Sequence, residues 1–321
     1  MPSRTKQAPL GSGYGPKTTA RDVIGGRRLD GVVAIVTGGY VGVGLETTRA
    51  LSSAGATVIV PVRTAEKARL SLAGLERVEL DSLDLADPAS IDAFAARFLG
   101  SGRPLHILVN NAGIMAVPLM RDARGFESQL ATNHVGHFQL TARLWPALRG
   151  ANGARVVSLS SRGHARSAID FDDPHFERRP YDKWIAYGQS KTANALFAMA
   201  LDLRGERHGI RAFSVHPGAI LTDLMRSMTE EERQAAIAAA SRVPDGLKNT
   251  EQGAATSIWC ATSPQLDGMG GVYCEDADIA EAVSADAPGV RGVRPWAADP
   301  ELAERLWTLS EEWASLQGNT R

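Results

Sequence analysis

The chain has 321 residues, with 35 basic and 36 acidic side chains, a formal charge of −1 and two cysteines. This balance gives no overall field drawing nucleic acid or an anionic membrane, and Cys260 and Cys274 are too few for a disulfide framework. No run reaches the roughly 18 apolar residues of a membrane span and residues 1–31 lack the apolar core of a secretory signal, so the expectation is a cytoplasmic protein with reduced cysteines.

Residues 1–30, which include Gly11-Ser12-Gly13-Tyr14-Gly15-Pro16, read as an irregular arm. Apolar runs of strand length follow at 32–36, 57–60, 77–80, 105–109, 155–159, 211–215 and 271–274. Helical composition falls between them at 45–54, 88–99, 125–148, 186–207 and 250–261, and a last helix at 300–316 carries Trp307 and Trp313. Apolar strands alternating with helices predict a parallel sheet covered on both faces. With right-handed crossovers this becomes a doubly wound α/β fold. No linker or internal repeat divides residues 31–321, which read as one domain.

The first strand runs into Thr37-Gly38-Gly39-Tyr40-Val41-Gly42-Val43-Gly44 and then a helix. Glycines there permit a tight turn and close approach to a pyrophosphate, which the helix N-terminus attracts. The second strand ends in Val60-Pro61-Val62-Arg63-Thr64. It lacks the carboxylate that marks an NAD site, and Arg63 and Lys67 lie close by. A guanidinium can hold a 2′-phosphate, which favours NADP(H) over NAD; the alternative is a solvated Arg63, or one stacked on adenine. Asp84 suits either an adenine amino group or the cap of the helix beginning near Pro88, with nothing in its chemistry to separate the two.

Several motifs in order resemble the short-chain dehydrogenase/reductase family from about residue 31 to 274. They are the 37–44 turn, Asp84, Asn110-Asn111-Ala112-Gly113, Asn133, Ser160-Ser161, Tyr187-x-x-x-Lys191, and Pro217-Gly218 with Thr222. Asn133-His134-Val135-Gly136-His137-Phe138 and Ser214-Val215-His216-Pro217-Gly218 resemble the retinol-dehydrogenase-like branch and its bacterial relatives. The resemblance implies a Rossmann-like sheet and cofactor contacts from Gly38, Tyr40, Val41, Gly42, Val43, Arg63, Asp84, Leu85, Asn111, Ala112, Gly113, Tyr187, Lys191, Pro217, Gly218 and Thr222. Tyr40-Val41 departs from the small polar residues commoner in the family.

Tyr187 and Lys191 sit one helical turn apart on one face. A phenol is a poor base at neutral pH, and an adjacent ammonium favours its ionised form. The resemblance makes Tyr187 the acid/base, Lys191 the holder of the nicotinamide ribose, Ser161 a donor to the substrate oxygen, and Asn133 the anchor of a water linking Lys191 to solvent. Ser158, Ser160 and Ser161 cluster; strand alternation turns Ser160 and Ser161 to opposite sides, and the family pattern selects Ser161. Tyr181 and Lys183 lack the helical spacing.

His134 and His137 could chelate a metal, but no further ligand is placed by the sequence, so none is expected. His164 reads as a pocket or surface residue. The polar stretch 162–185 reads as a loop at the site's mouth. The segment 219–247, with Met225, Met228 and an alanine-rich run, reads as a substrate lid. The expected function is interconversion of a carbonyl and an alcohol by a homo-oligomer, with a small-molecule partner and neither nucleic acid nor membrane. A non-catalytic NADP(H) sensor, or an epimerase using transient oxidation, is the alternative.

Overall fold

The structure, a computed structural model, describes residues 5–241, 246–288 and 291–315. In chain order the elements are α1 (Ala20–Ile24), β1 (Val33–Val36), α2 (Gly42–Ser53), β2 (Thr57–Val62), α3 (Ala65–Ser71), β3 (Val78–Ser82), α4 (Pro88–Gly100), β4 (Ile107–Asn110), α5 (Ser128–Leu130), α6 (Gly136–Arg143), α7 (Trp145–Gly150) and β5 (Arg155–Leu159). Then follow α8 (Lys183–Gly205), β6 (Arg211–His216), α9 (Glu230–Ser241), α10 (Thr250–Thr262), β7 (Val272–Glu275), β8 (Asp278–Ile279) and α11 (Pro300–Trp313).

The strands form one sheet in the order β3-β2-β1-β4-β5-β6-β7-β8. All pairings are parallel except β7 with β8. The central strands β1 and β4 are buried along their whole length, because helices cover both faces. One core packs Ile35, Leu108 and Val156 against Phe94, Phe138, Leu196, Phe197, Leu306 and Trp307. The other packs Val36, Val58, Val157 and Phe213 against Leu51, Ile258 and Trp259. This is the doubly wound fold the alternating pattern predicts. Strand order reverses between β1 and β4, and that crevice at the strands' carboxyl ends is where such sheets bind ligands. Among the described residues no helix is long and apolar enough to cross a membrane.

Three local expectations are corrected. The helix expected over 125–148 is broken. Glu127 caps α5 by accepting from the N–H groups of Gln129 and Leu130. A π-helical turn, Ala131–Val135, then leads into α6. Pro146, which lacks an N–H, restarts the chain as α7. The arm is not wholly irregular, because Thr19 and Asp22 form a capping box that starts α1. The last helix ends at Trp313, and residue 316 lies outside the described residues.

The arm also reaches the far edge of the sheet. The Gln7 side chain bonds the Tyr273 backbone and the Ala280 carbonyl. The Asp278 carboxylate on β8 accepts from the N–H groups of Leu10, Gly11 and Ser12. At the opposite edge, β3 carries Glu79 and Asp81, paired with Arg103 and Arg97.

Candidate active site

A cavity of about 900 Å³ opens at the carboxyl ends of β1, β4, β5 and β6. It is lined by every residue named above as a cofactor contact, and by Ser161. Asn133 is fully buried behind it.

Thr37 ties the cofactor half together. Its Oγ1 accepts from the Asn111 and Ala112 N–H groups at 2.9 and 3.0 Å, and its carbonyl accepts from Asn111 Nδ2 at 2.8 Å. His137 Nδ1 lies 3.0 Å from the Asn133 carbonyl, which can only accept, so this nitrogen carries the proton. Nε2 is then the acceptor for the Thr37 hydroxyl, 2.9 Å away. His134 instead reaches Ser310 on α11. The two imidazoles therefore serve separate structural contacts, and no metal-holding group of three or more His, Cys, Asp or Glu occurs among the described residues.

The glycine turn leaves no room for side chains. A Cβ on Gly44 would lie 2.3 Å from the Gly38 carbonyl oxygen, and Gly38 itself has φ +64°. Val41 begins α2 without a capping side chain, and no acidic residue stands in the first turn. The orphan N–H groups and positive dipole end therefore face the cavity. This cradle fits a dinucleotide pyrophosphate. Gly44→Ala is expected to force the turn open, lowering cofactor affinity at least about tenfold and stability by about 1–3 kcal/mol. Titration calorimetry and urea unfolding read the two effects.

Arg63 is exposed at the end of β2 and faces the same cavity. Asp84 does not cap α4; Asp87 does, accepting from the Ala89 N–H. Asp84 accepts from the Ala86 N–H in a tight turn, and its own N–H donates to Ser90. Gly218, with φ +103°, lies over the buried Lys248 stem, and Lys248 Nζ is 2.5 Å from Asp276. Thr222 accepts from the Leu224 N–H.

Beside Tyr187 and Lys191, alternation at the end of β5 separates the two serines. Ser160 donates to the Lys191 carbonyl at 2.7 Å, whereas Ser161 Oγ accepts from the Gly163 N–H at 3.0 Å and faces the same cavity as Tyr187. α8, capped by Asp182, presents Tyr187 and Lys191 to the cavity. Lys191 Nζ lies 5.6 Å from the Tyr187 ring centre and donates to the Leu159 carbonyl at 2.9 Å. The expected lowering of the phenol by Lys191 is not what dominates here. Burial pushes Tyr187 up to about 12, opposed by the nearby Ser161 hydroxyl, and burial pushes Lys191 down to about 8. Asn133 clamps the Ile114 backbone at both N–H and C=O and donates to Ser190 at 2.9 Å. It supports the wall and makes no hydrogen bond to Lys191 among the described residues.

Of the 162–185 stretch, Arg162, Gly163, Arg166 and Trp184 line the cavity. Much of the rest packs away from it: His175 stacks on Phe126 and meets Trp313. His164 is neither surface nor pocket; it is 1% exposed and bonds the Ser161 carbonyl. Tyr181 bonds Val117, Glu127 and Gln129, and Lys183 pairs with Glu232 on α9 at 2.6 Å. Met225 and Met228 from segment 219–247 pack on Ala116, with Met115 and Trp184 beside them; residues 242–245 of that segment lie outside the described residues. The sequence reading missed Trp184, although it sits one helical turn before Tyr187 on the same face. It also missed Met115, Arg162 and His216, which follow no period.

The family profile described as short chain dehydrogenase matches residues 32–233. A probable oxidoreductase of Streptomyces lividans is 46% identical, covering 89% of this chain and 99% of that protein. Retinol dehydrogenase 12 of Mus musculus is 36% identical, covering 90% and 88%. A solved protein from Mycobacterium paratuberculosis has 32% identity and a TM-score of 0.71, covering 93% of this chain and 98% of its own. The Pseudomonas aeruginosa RhlG/NADP active-site complex has 27% identity and a TM-score of 0.63, covering 77% and 95%. The chain belongs to the short-chain dehydrogenase family of oxidoreductases.

Proposed function

We propose that this protein is an NADP(H)-dependent carbonyl reductase with Tyr187 as its proton donor. The carrying observation is one cavity that joins the glycine cradle to Ser161, Tyr187 and Lys191. Bound cofactor supplies the hydride that the carbonyl carbon accepts. Ser161 holds the carbonyl oxygen, and Tyr187 passes it the phenolic proton, leaving an alcohol. A phenol pushed up to about 12 by burial holds its proton at neutral pH, the form that a proton donor to the carbonyl oxygen needs. Lys191, lowered to about 8, carries the charge that favours the phenolate left behind. The described part of segment 219–247 serves as the cover, with α9 tied to the start of α8 by Glu232 and Lys183.

The cofactor choice rests on the end of β2, where Arg63 replaces a carboxylate. The RhlG complex is named for NADP. A panel of ketones and aldehydes with NADPH and NADH, followed by nicotinamide absorbance, tests the reading. Turnover with NADPH is expected, and no turnover across the panel would overturn it. Arg63→Ala should weaken NADPH binding about tenfold or more with little change for NADH, the scale of a lost charged hydrogen bond. An unchanged preference would remove Arg63 from the account.

A further inference from the structure

One wall of the cavity, just before Tyr187 in the chain, is apolar and belongs to neither main core. Trp184 and Met115 pack against Ala116, Met225 and Met228, with Ala236 beside them, and all of these except Ala116 line the cavity. Trp184 stands three residues before Tyr187 on α8, which sets their Cβ atoms about 5–6 Å apart on one face. Trp184 and Met115 are only partly buried, so a guest beside Tyr187 can reach them. Gln129 braces this wall. Its Oε1 accepts from the Ala116 N–H at 2.9 Å and its Nε2 donates to the Lys183 carbonyl at 2.9 Å, strapping the loop after β4 to the start of α8. Ala116 is buried with φ +54°, a conformation that a residue other than glycine keeps only where its surroundings fix it. On the side of the cover, Lys183 pairs with Glu232, one helical turn before Ala236 on α9. Three elements therefore hold the wall in place before any guest arrives.

The charges nearby restrict that guest. Arg121 donates to the Gly125, His175 and Phe176 carbonyls, and Arg226 to the Asp223 carbonyl. Asp122 pairs with Arg124. Arg166 is exposed and runs along α8, its Cβ 3.2 Å from where a Cβ on Gly188 would stand. Its guanidinium lies 5.5 Å from the Trp184 ring centre, a cation–π contact that steadies the indole. A substrate carboxylate here would give up hydration among methionines and indole for one water-exposed cation. A hydrocarbon group gains by leaving water. Methionine side chains are flexible and pack well on aromatic rings, so the wall suits bulk of varied shape.

We propose that Trp184 sets substrate specificity, forming with Met115, Met225 and Met228 a subsite for a bulky, uncharged apolar group on the carbonyl being reduced. This rests on the carbonyl-reductase reading above. The test measures kcat/KM with NADPH for acetone, cyclohexyl methyl ketone and 4-acetylcyclohexanecarboxylate, on the wild type, Trp184→Ala and Met115→Gln. Intrinsic differences in reactivity cancel when the cyclohexyl-to-acetone ratio is compared between enzymes. That ratio should fall at least about tenfold in Trp184→Ala, the scale on which an apolar pocket tells hydrocarbon groups apart. Equal losses on both ketones, which a merely structural role would give, leave the ratio unchanged and overturn the subsite. Wild-type preference for the carboxylate over cyclohexyl methyl ketone also overturns it. Met115→Gln nearly keeps the volume of a half-buried side chain and puts an amide into the same wall, so its ratio decides in the same way if Trp184→Ala fails to fold. If no carbonyl turns over, the reductase reading fails separately. Calorimetric binding of cyclohexyl methyl ketone then decides the subsite: a loss of about tenfold in Trp184→Ala supports it, and equal or absent binding overturns it.

Discussion

Tyr187→Phe is expected to lower kcat for carbonyl reduction by about 10²- to 10⁴-fold, the range of a positioned proton donor. Phe keeps the ring beneath Gly163, where a Cβ would stand 2.8 Å from Tyr187 Cε1, so the wall survives and only the hydroxyl is lost. The loss should therefore fall on kcat and not on stability. Reduction by the wild type should decline as pH rises past about 8, where Lys191 gives up its proton and no longer favours the phenolate. A wild-type rate in Tyr187→Phe would remove the phenol from the chemistry.

Acid should unfold this protein well before its carboxylates are neutralised. Burial lowers His134 to about 3, and His137, His164 and His175 to about 4. The unfolded chain binds protons at these rings from about pH 6.5 downward, while the folded chain does not. Stability that is complete above that pH is lost as pH falls toward 4. At pH 5 each ring accounts for about 2 kcal/mol, and the four together approach the whole stability of a typical domain. Urea midpoints followed by tryptophan fluorescence should fall steeply between pH 7 and 5; a flat profile would contradict the buried, neutral histidines.

The sheet was readable because its strands are short, apolar and separated by helical composition. The glycine turn was readable because its spacing obeys a backbone demand that Gly38 and Gly44 meet through φ and close approach. Alternation told Ser160 from Ser161 in direction, though choosing between them needed the family pattern. The π-turn at Ala131–Val135 was not legible, since no residue type in it marks a wider turn; within it Asn133 holds the Ile114 backbone, 19 positions away. The burial of His164 was equally hidden: Arg294 and Trp296, which bond it, lie 130 and 132 positions away. The capping box at Thr19 was a missed local signal. Arg162 and His216 show the harder limit, because cavity-lining residues that follow β5 and end β6 share no periodicity along the chain.

The sheet's two margins bear on how copies of this chain could meet. A bare strand edge invites another chain to extend the sheet. Here β8 is two residues long and its carboxylate is occupied by the arm, while β3 presents charges already paired with Arg97 and Arg103. Continuous strand addition across molecules is thereby disfavoured at both ends. Self-association would have to be made by helical faces, and shortening the chain to residue 31 would uncover the very margin that now resists it.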